Sequence, residues 1–321
     1  MKNVFLNKNF KSWLNHTGEN DLLENFQSEL DKLGNLKETK INTALEEGFT
    51  DVYYYIFKHE IKSYKNLIDF RLHDLASSLL PTIEMKNYTT AVLICRALFE
   101  TKAMFAFRMF RIMNRISSKS WSAVYIEQLN FKMLPSWKEG GDIDWERVFP
   151  ALKKFHVNDA IKAMSEAESS KTEKKKMLKV MTKHYGKMSE ICHPTQANRQ
   201  LYVLDRDKFD LDENKISNRK VLRDNFSSNH ADKVVFPIFL NTMKGFAHAI
   251  KMEEEMLNKC LNDLKKNRDS LLAYEKSSKR KEDLENTQPI LKQMKELDDK
   301  GLSPTEIVDA IVKSGYKSNI K

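Results

Sequence analysis

The sequence predicts an all-α fold, a multi-helix bundle with a long C-terminal helix and a small helical C-terminal appendage. Glycine and proline are scarce, 9 and 7 of 321 residues, so long helices form easily and tight-turned sheets do not. Apolar residues also recur at intervals of three and four over long stretches. We therefore expect at least roughly 60% of the residues to be helical, well above the usual third.

The first predicted elements are two amphipathic helices. Residues 20–33 begin with the cap candidates Asn20 and Asp21 and then carry leucine and phenylalanine at helical spacing. Residues 51–80 carry one apolar stripe that advances by three and four positions. Because proline cannot continue a helix, Pro81 is expected to end this second element.

The middle of the chain predicts the centre of the bundle. Residues 89–116 are apolar nearly all round in their first half, which is typical of a helix surrounded by others. Residues 117–150 indicate a short helix followed by an irregular stretch, and 172–192 indicate a helix that ends at His193.

The last third of the chain predicts a long helix and a tail. Residues 200–214 alternate apolar and polar side chains, as in a small hairpin or extended arm. Residues 231–285 predict one long helix with a kink at Pro237, its distal half solvated or a coiled-coil arm. Residues 286–321 contain two short helical patterns joined at Gly301, either a helix-turn-helix-like module or a hairpin or dimerisation tail.

These patterns divide the chain into three predicted parts. Residues 1–48 form an N-terminal helical segment, 49–285 the bundle, and 286–321 the small C-terminal hairpin. Three widely spaced cysteines, no signal-peptide pattern and no apolar run of about 20 residues favour a cytoplasmic protein without a membrane segment.

Charge leaves two interpretations open. The formal charge of +9 and the pI near 9.1 favour a polyanionic partner, because fixed positive charge attracts phosphates. The same lysines are also typical of helix surfaces that are simply solvated.

The most informative feature is a small set of polar residues at buried positions. Arg96 and Glu100 lie at i and i+4 in an otherwise apolar segment, so they share one helix face. The pair predicts either a structural ion pair or one side of a polar pocket.

A second helix supplies the other side of the predicted pocket. Tyr185, Ser189 and His193 are spaced by four, and His193 follows the helix C-terminus, where the dipole favours the imidazolium form. We expect this stripe to meet Arg96 and Glu100 in space. His184 and Cys192 are the nearest candidate metal ligands, but no acidic residue or second cysteine accompanies them, so we predict no metal and no cofactor.

Two stretches resemble a known family. The RALFE stretch (96–100) and YGKMSEICHP (185–194) resemble the R-x-x-x-E and Y-x-x-x-S-x-x-x-H-P helices of HEPN-like helical proteins, over about residues 50–260. The resemblance implies a four- to five-helix bundle, frequent homodimers and, in many relatives, a metal-independent ribonuclease of toxin or anti-phage systems. The candidate catalytic residues it implies are Arg96, Glu100, Tyr185, Ser189 and His193.

The sequence departs from the family in one respect. Catalytic HEPN ribonucleases carry R-x(4-6)-H, which neither stretch supplies. Arg223 and His230 do fit R-x6-H and form an alternative catalytic pair.

The resemblance implies a reaction in which the 2′-hydroxyl of RNA attacks its own 3′-phosphate. A histidine (His193 or His230) would transfer the proton, and an arginine (Arg96 or Arg223) would stabilise the phosphate charge. The expected partners are RNA, a second copy of the chain, and a partner protein or antitoxin. The rival interpretation is a non-catalytic helical adaptor or sensor that binds nucleic acid or a protein through its basic surface.

Overall fold

The computed structural model describes residues 8–34, 52–132, 157–166, 171–192 and 231–315. Within these ranges 90% of the residues are helical and no strand occurs, so the all-α prediction is confirmed for this part of the chain. A short π-helix, Ala231–Val235, leads directly into α9. The α-helices are α1 (Lys8–His16), α2 (Leu22–Gly34), α3 (Val52–Ser77), α4 (Leu79–Glu84), α5 (Tyr88–Ser117), α6 (Trp121–Lys132), α7 (Val157–Ser165), α8 (Lys171–Cys192), α9 (Phe236–Lys266), α10 (Arg268–Glu275), α11 (Ser278–Asp299) and α12 (Pro304–Lys313).

Several predicted features fall outside the described residues. They are the hairpin at 200–214, the irregular stretch after residue 132, and His193, Arg223 and His230. Among the helices that the structure describes, none has the length and apolar composition needed to cross a bilayer.

The single helix predicted for residues 51–80 is wrong in one respect, because the chain breaks at Ser78 into α3 and α4. The hydroxyls of Ser77 and Ser78 both donate to the Asp74 carbonyl, at 3.0 and 2.9 Å. Such side-chain bonds compete with the backbone ladder and bend helices. Pro81 does not end the helix but lies in the first turn of α4, where a backbone N–H has no intrahelical partner to lose.

The single helix predicted for residues 231–285 is also wrong, since three helices, α9, α10 and the start of α11, occupy this stretch. At the first break the Asn267 side chain donates to the Asp263 carbonyl at 2.9 Å, and at the second Ser277 caps α11 through the Arg280 N–H. Pro237 lies in the first turn of α9, next to the π-helix.

Helix α5 is buried on every side at its middle. Seven consecutive residues, 100–106, are all buried, and seven residues cover all faces of a helix. The all-round burial therefore falls later than the sequence predicted, because Leu93 in the first half is 47% exposed.

The chain divides into two compact units that each draw on separate segments. Of the described residues, the first unit contains 8–34, 67–104, 164–166, 171–192 and 231–253. Aromatic rings fill part of its core. The ring centroids of Phe10 in α1 and Phe236 are 5.0 Å apart, and those of Phe26 in α2 and Phe246 are also 5.0 Å apart. The N-terminal helices thus complete the core of this unit.

The second unit contains the described residues 52–66, 105–132, 157–163 and 254–315. The predicted C-terminal hairpin is present here as α11 and α12, and Gly301 (φ +76°) supplies the left-handed turn after α11. Ser303 and Glu306 form a capping box at the start of α12. The apolar side chains of the hairpin pack on α6 in one cluster, Ala123, Ile126, Ile290, Met294, Ile307, Val308 and Ile311.

Candidate functional site

Arg96, Glu100 and Tyr185 of the predicted polar pocket meet between α5 and α8, within the first unit. Arg96 Nε donates to Glu100 Oε1 at 2.9 Å, and Arg96 Nη2 donates to Tyr185 Oη at 3.1 Å. The Tyr185 hydroxyl in turn donates to Glu100 Oε1 at 3.0 Å. Three side chains that the sequence placed on two separate helices therefore close a triangle of hydrogen bonds.

Burial differs between the members of this triangle. The Glu100 side chain is 2% exposed, whereas the Arg96 side chain is 24% exposed. The Arg96 guanidinium also lies over the Tyr185 ring, 5.4 Å from its centroid, where a cation is attracted by the ring face. The cluster is therefore closed at the carboxylate and open to solvent at the arginine.

The surroundings of Arg96 and Tyr185 determine the protonation state of each side chain. Burial opposes the charge on Arg96, but the hydrogen bond from Arg96 to Glu100 and the charges nearby outweigh it, so the pKa of Arg96 is raised. Burial and the Glu100 charge raise the pKa of Tyr185. At neutral pH Arg96 is therefore charged and Tyr185 is a protonated hydrogen-bond donor, not a general base.

Ser189 joins the cluster from one turn further along α8. Its hydroxyl hydrogen-bonds to Tyr185, which opposes the rise in the Tyr185 pKa. The structure thus brings together four of the five residues that the sequence singled out. The fifth, His193, follows the last residue of α8 and lies outside the described residues, as do both members of the alternative pair.

Phe99 connects this cluster to a cavity that sequence reasoning did not predict. Its ring lies 5.6 Å from the Tyr185 ring and 6.1 Å from the His184 ring. On the His184 side lies a cavity of about 410 Å³ between α5, α8 and α9, closed in part by Met164 of α7. The sequence signal for it is weak, because methionines at helical spacing are equally typical of a filled core.

Two titratable groups with shifted pKa values line this cavity, the half-buried His184 and the buried Lys102. Burial lowers the pKa of His184 to about 4, with Lys187 acting in the same direction, so the imidazole is neutral at pH 7. Its Nε2 lies 3.4 Å from the Thr242 hydroxyl. Burial also lowers the pKa of Lys102 to about 8, although the Glu253 charge opposes the shift.

Lys102 of α5 lies outside the two polar stripes that the sequence predicts. The residue is 5% exposed, and its ammonium lies 4.4 Å from the centre of the Phe246 ring. Glu253 is fully buried as well. The signal that was available is the position of Lys102 two residues after Glu100 and directly before the apolar run 103–107.

The Cys95 thiol of the first unit is inert by environment. Burial raises the pKa of the Cys95 thiol to about 12, so the thiolate does not form near neutral pH. Within the part of the chain that the structure describes, no group of three histidine, cysteine or acidic side chains is arranged to hold a metal ion.

Comparison with protein-family models, curated proteins and solved structures finds no match to this chain.

Proposed function

We propose that this protein is a metal-independent ribonuclease, acting as a toxin or anti-phage defence effector, in which Arg96 binds the scissile phosphate of RNA. The observation that carries the proposal is the geometry of Arg96. Glu100 and Tyr185 fix its orientation, its charge is retained and its side chain is 24% exposed. An arginine has five N–H donors in a planar fork that matches phosphate oxygens, and these two bonds use two of them.

His193 supplies the proton transfer in this proposal. It follows Ser189 by four residues in the sequence, the same spacing that separates Ser189 from Tyr185. In the reaction, a histidine removes the proton from the RNA 2′-hydroxyl, whose oxygen then bonds to the adjacent phosphorus. The 5′-oxygen leaves with a proton, and the products carry a 2′,3′-cyclic phosphate and a 5′-hydroxyl. Arg96 stabilises the negative charge that develops on the phosphoryl oxygens.

A lysine stripe on α8 supports RNA as the partner. Exposed lysines recur at one face of this helix, with spacings of three and four residues. Such a stripe attracts the phosphate backbone without regard to sequence. Its members are Lys176, Lys179, Lys183 and Lys187.

The decisive experiment is RNA cleavage by purified protein in EDTA, with analysis of the new ends. We expect cyclic phosphate ends, and a loss of roughly 100-fold or more for His193→Ala, as for removal of a proton-transferring group. The exposed His16 of α1 gives the matched control, because His16→Ala changes a histidine remote in sequence from the cluster. If His230→Ala abolishes cleavage and His193→Ala does not, the Arg223 and His230 pair is the catalytic site.

The role of Arg96 needs a variant that still folds. Arg96→Ala alone leaves the Glu100 carboxylate buried without its cation, whereas Arg96→Leu with Glu100→Leu removes both charges together. We expect this double variant to fold and to lose cleavage. Cleavage at the wild-type rate by the double variant would contradict the role of Arg96.

Salt dependence tests the lysine stripe. Replacing Lys179, Lys183 and Lys187 by glutamine should weaken RNA binding and make it less sensitive to salt, because fewer counterions are released. The same change at Lys292, Lys295 and Lys300, exposed lysines of α11 and its C-terminus, provides a control of equal charge. Equal loss in both triple variants would indicate that net charge, not this stripe, attracts RNA.

The adaptor or sensor function is the second candidate, and the sealed Glu100 favours it. A carboxylate at 2% exposure that neutralises the adjacent guanidinium also suits a purely structural ion pair. In that case RNA binding should fall steeply with salt, survive His193→Ala and never lead to cleavage.

Homodimerisation is part of the same proposal. Leu67 and Phe70 on α3 are 59% and 55% exposed, and side chains of this size are common in subunit contacts. Light scattering should give the mass of a dimer, and Leu67→Lys with Phe70→Lys should give a monomer. A wild-type monomer at high concentration would exclude this part of the proposal.

A further inference from the structure

The cavity beside the polar cluster has the size of a ligand site. Its volume, about 410 Å³, lies within the range of roughly 300–1,000 Å³ that is usual for small-molecule pockets. All of its lining residues belong to the first unit, so α5, α7, α8 and α9 form it within one compact body.

The walls of the cavity are apolar and adaptable. Leu98, Phe99 and Val180 contribute fixed apolar surface, and Val180 is 56% exposed although it lines the cavity. The remaining apolar wall is made mainly of methionine, an unbranched side chain that adjusts to irregular or flexible ligands. The methionines are Met164, Met177, Met181 and Met252. This wall suits an alkyl chain.

The mouth of the cavity is basic. Lys183, Lys187 and His248 line it and are exposed, whereas no residue that lines the cavity within the described part of the chain is acidic. Lys102 is the one charged group further in, and the Glu253 charge balances it. A ligand with an apolar tail and an anionic head would thus place its head at the mouth.

Gly245 keeps one side of the cavity open. It lies inside α9, where glycine weakens a helix relative to alanine, and a Cβ added there would meet no atom within 4 Å. Because Gly245 lines the cavity, a larger side chain at this position fits beside it without a steric clash at Cβ. Gly186 of α8 has equally open surroundings but does not line the cavity.

We propose that this cavity binds a single-chain amphipathic carboxylate, such as a medium-chain fatty acid, with the alkyl chain against the methionine wall and the carboxylate beside Lys183 and Lys187. The site goes beyond the proposed cleavage of RNA and does not depend on it. Ligand binding is measured without RNA, so failure of one proposal leaves the other intact.

The first test is calorimetric titration of the full chain with dodecanoate, dodecanol and dodecylamine, each below its micelle-forming concentration. We expect one dodecanoate per chain, binding of dodecanol weaker by about tenfold or more, and no binding of dodecylamine. Equal affinity for dodecanol would show an apolar void without recognition of the carboxylate. No binding of dodecanoate would overturn the proposal outright.

The second test uses a matched pair of glycine variants. Gly245→Leu should weaken dodecanoate binding by about tenfold or more because the new side chain occupies the cavity, while Gly186→Leu should bind as the wild type does. Circular dichroism of both variants checks that they fold. Lys183→Glu with Lys187→Glu should remove the preference for dodecanoate over dodecanol. Unchanged dodecanoate affinity in folded Gly245→Leu would place the ligand elsewhere and refute the site.

Discussion

Two buried glutamates in this molecule are held by arginines of α5, but in opposite ways. In the first unit Glu100 accepts hydrogen bonds from one arginine and one tyrosine, Arg96 and Tyr185. In the second unit Glu127 of α6 lies between two arginines, with Oε1 at 2.6 Å from Arg111 Nη2 and 3.1 Å from Arg115 Nη2. Glu100 is thus shared between a guanidinium group and a tyrosine hydroxyl, whereas Glu127 is shared between two guanidinium groups.

The difference changes the electrostatics of the arginines. Burial lowers the pKa of Arg115, Arg111 adds to the effect, and the Glu127 charge only opposes it. In the Glu100 cluster the balance is reversed, and the pKa of Arg96 is raised.

Arg115 of the second unit makes a further contact inside the fold. Arg115 Nη1 donates to the Ala123 carbonyl at 2.8 Å and thereby ties α5 to α6. The comparison teaches that an arginine beside a buried carboxylate is not by itself a site. What distinguishes Arg96 is that its pKa is raised, where the pKa of Arg115 is lowered, and that its side chain is more exposed, 24% against 18% for Arg115.

The largest expected effect of this contrast concerns stability. Glu127→Gln should lower the free energy of unfolding by about 3–5 kcal/mol, because two mostly buried arginines then both lose an ion-pair partner. Glu100→Gln should cost less, about 1–2 kcal/mol, since Arg96 can hydrate. Urea denaturation followed by circular dichroism measures both. A larger loss for Glu100→Gln would invalidate the distinction between the two clusters.

The next effect is a pH dependence that belongs to the first unit. Because the pKa of His184 is lowered from 6.5 to about 4 in the folded protein, the unfolded chain binds more protons between these values. The contribution of His184 to stability is therefore fully present above pH 6.5 and is lost as the pH falls to 4, by about 2–3 kcal/mol. The difference in unfolding free energy between wild type and His184→Gln, measured at intervals from pH 4 to 7, should show this slope. If the difference in unfolding free energy between wild type and variant does not change with pH, His184 is hydrated in the folded protein.

A smaller effect is expected for the hydroxyl that links α8 to α5. Tyr185→Phe should cost about 1–2 kcal/mol, because Glu100 loses a donor and Arg96 an acceptor. In a double-mutant cycle with Arg96→Leu, the two losses should be non-additive by about 0.5 kcal/mol or more. Strict additivity would show that the two side chains do not act as one cluster.

The smallest effect sets the scale for the others. Lys292 and Glu296 form an exposed pair at 4.0 Å, with side chains 81% and 56% exposed. Lys292→Ala should change the free energy of unfolding by about 0.5 kcal/mol or less, as is usual for surface ion pairs. A change comparable to that of Glu100→Gln would indicate that burial does not separate these interactions.

Much of the fold could be predicted from apolar periodicity. The helices α2, α5 and α8 agree with the predicted patterns. The breaks at Ser78 and Asn267 could not be predicted, because the apolar stripe continues across both. In each case a short polar side chain near the break donates a hydrogen bond to a backbone carbonyl and so competes with the hydrogen bonds of the helix backbone. The spacing of apolar residues carries no information about this competition.

In the candidate site, only the residue pairs that lie on one helix could be predicted from the sequence. Spacing by four placed Arg96 with Glu100 and Tyr185 with Ser189, since such pairs share a face whatever the fold. The buried pair of Lys102 and Glu253 was missed because its members lie far apart in the sequence, and nothing local relates them.

The sequence by itself determined the helical class, the basic charge and the membership of each polar stripe, because these depend on composition and on the 3.6-residue period of one helix. Only the tertiary structure decided that Tyr185 meets Arg96, that Glu127 takes two arginines, and that α5, α8 and α9 enclose a cavity. The reason is physical: hydrogen-bond partners, desolvation and cavities arise where helices pack against one another, and neighbours in space are not recorded in the spacing along any one helix.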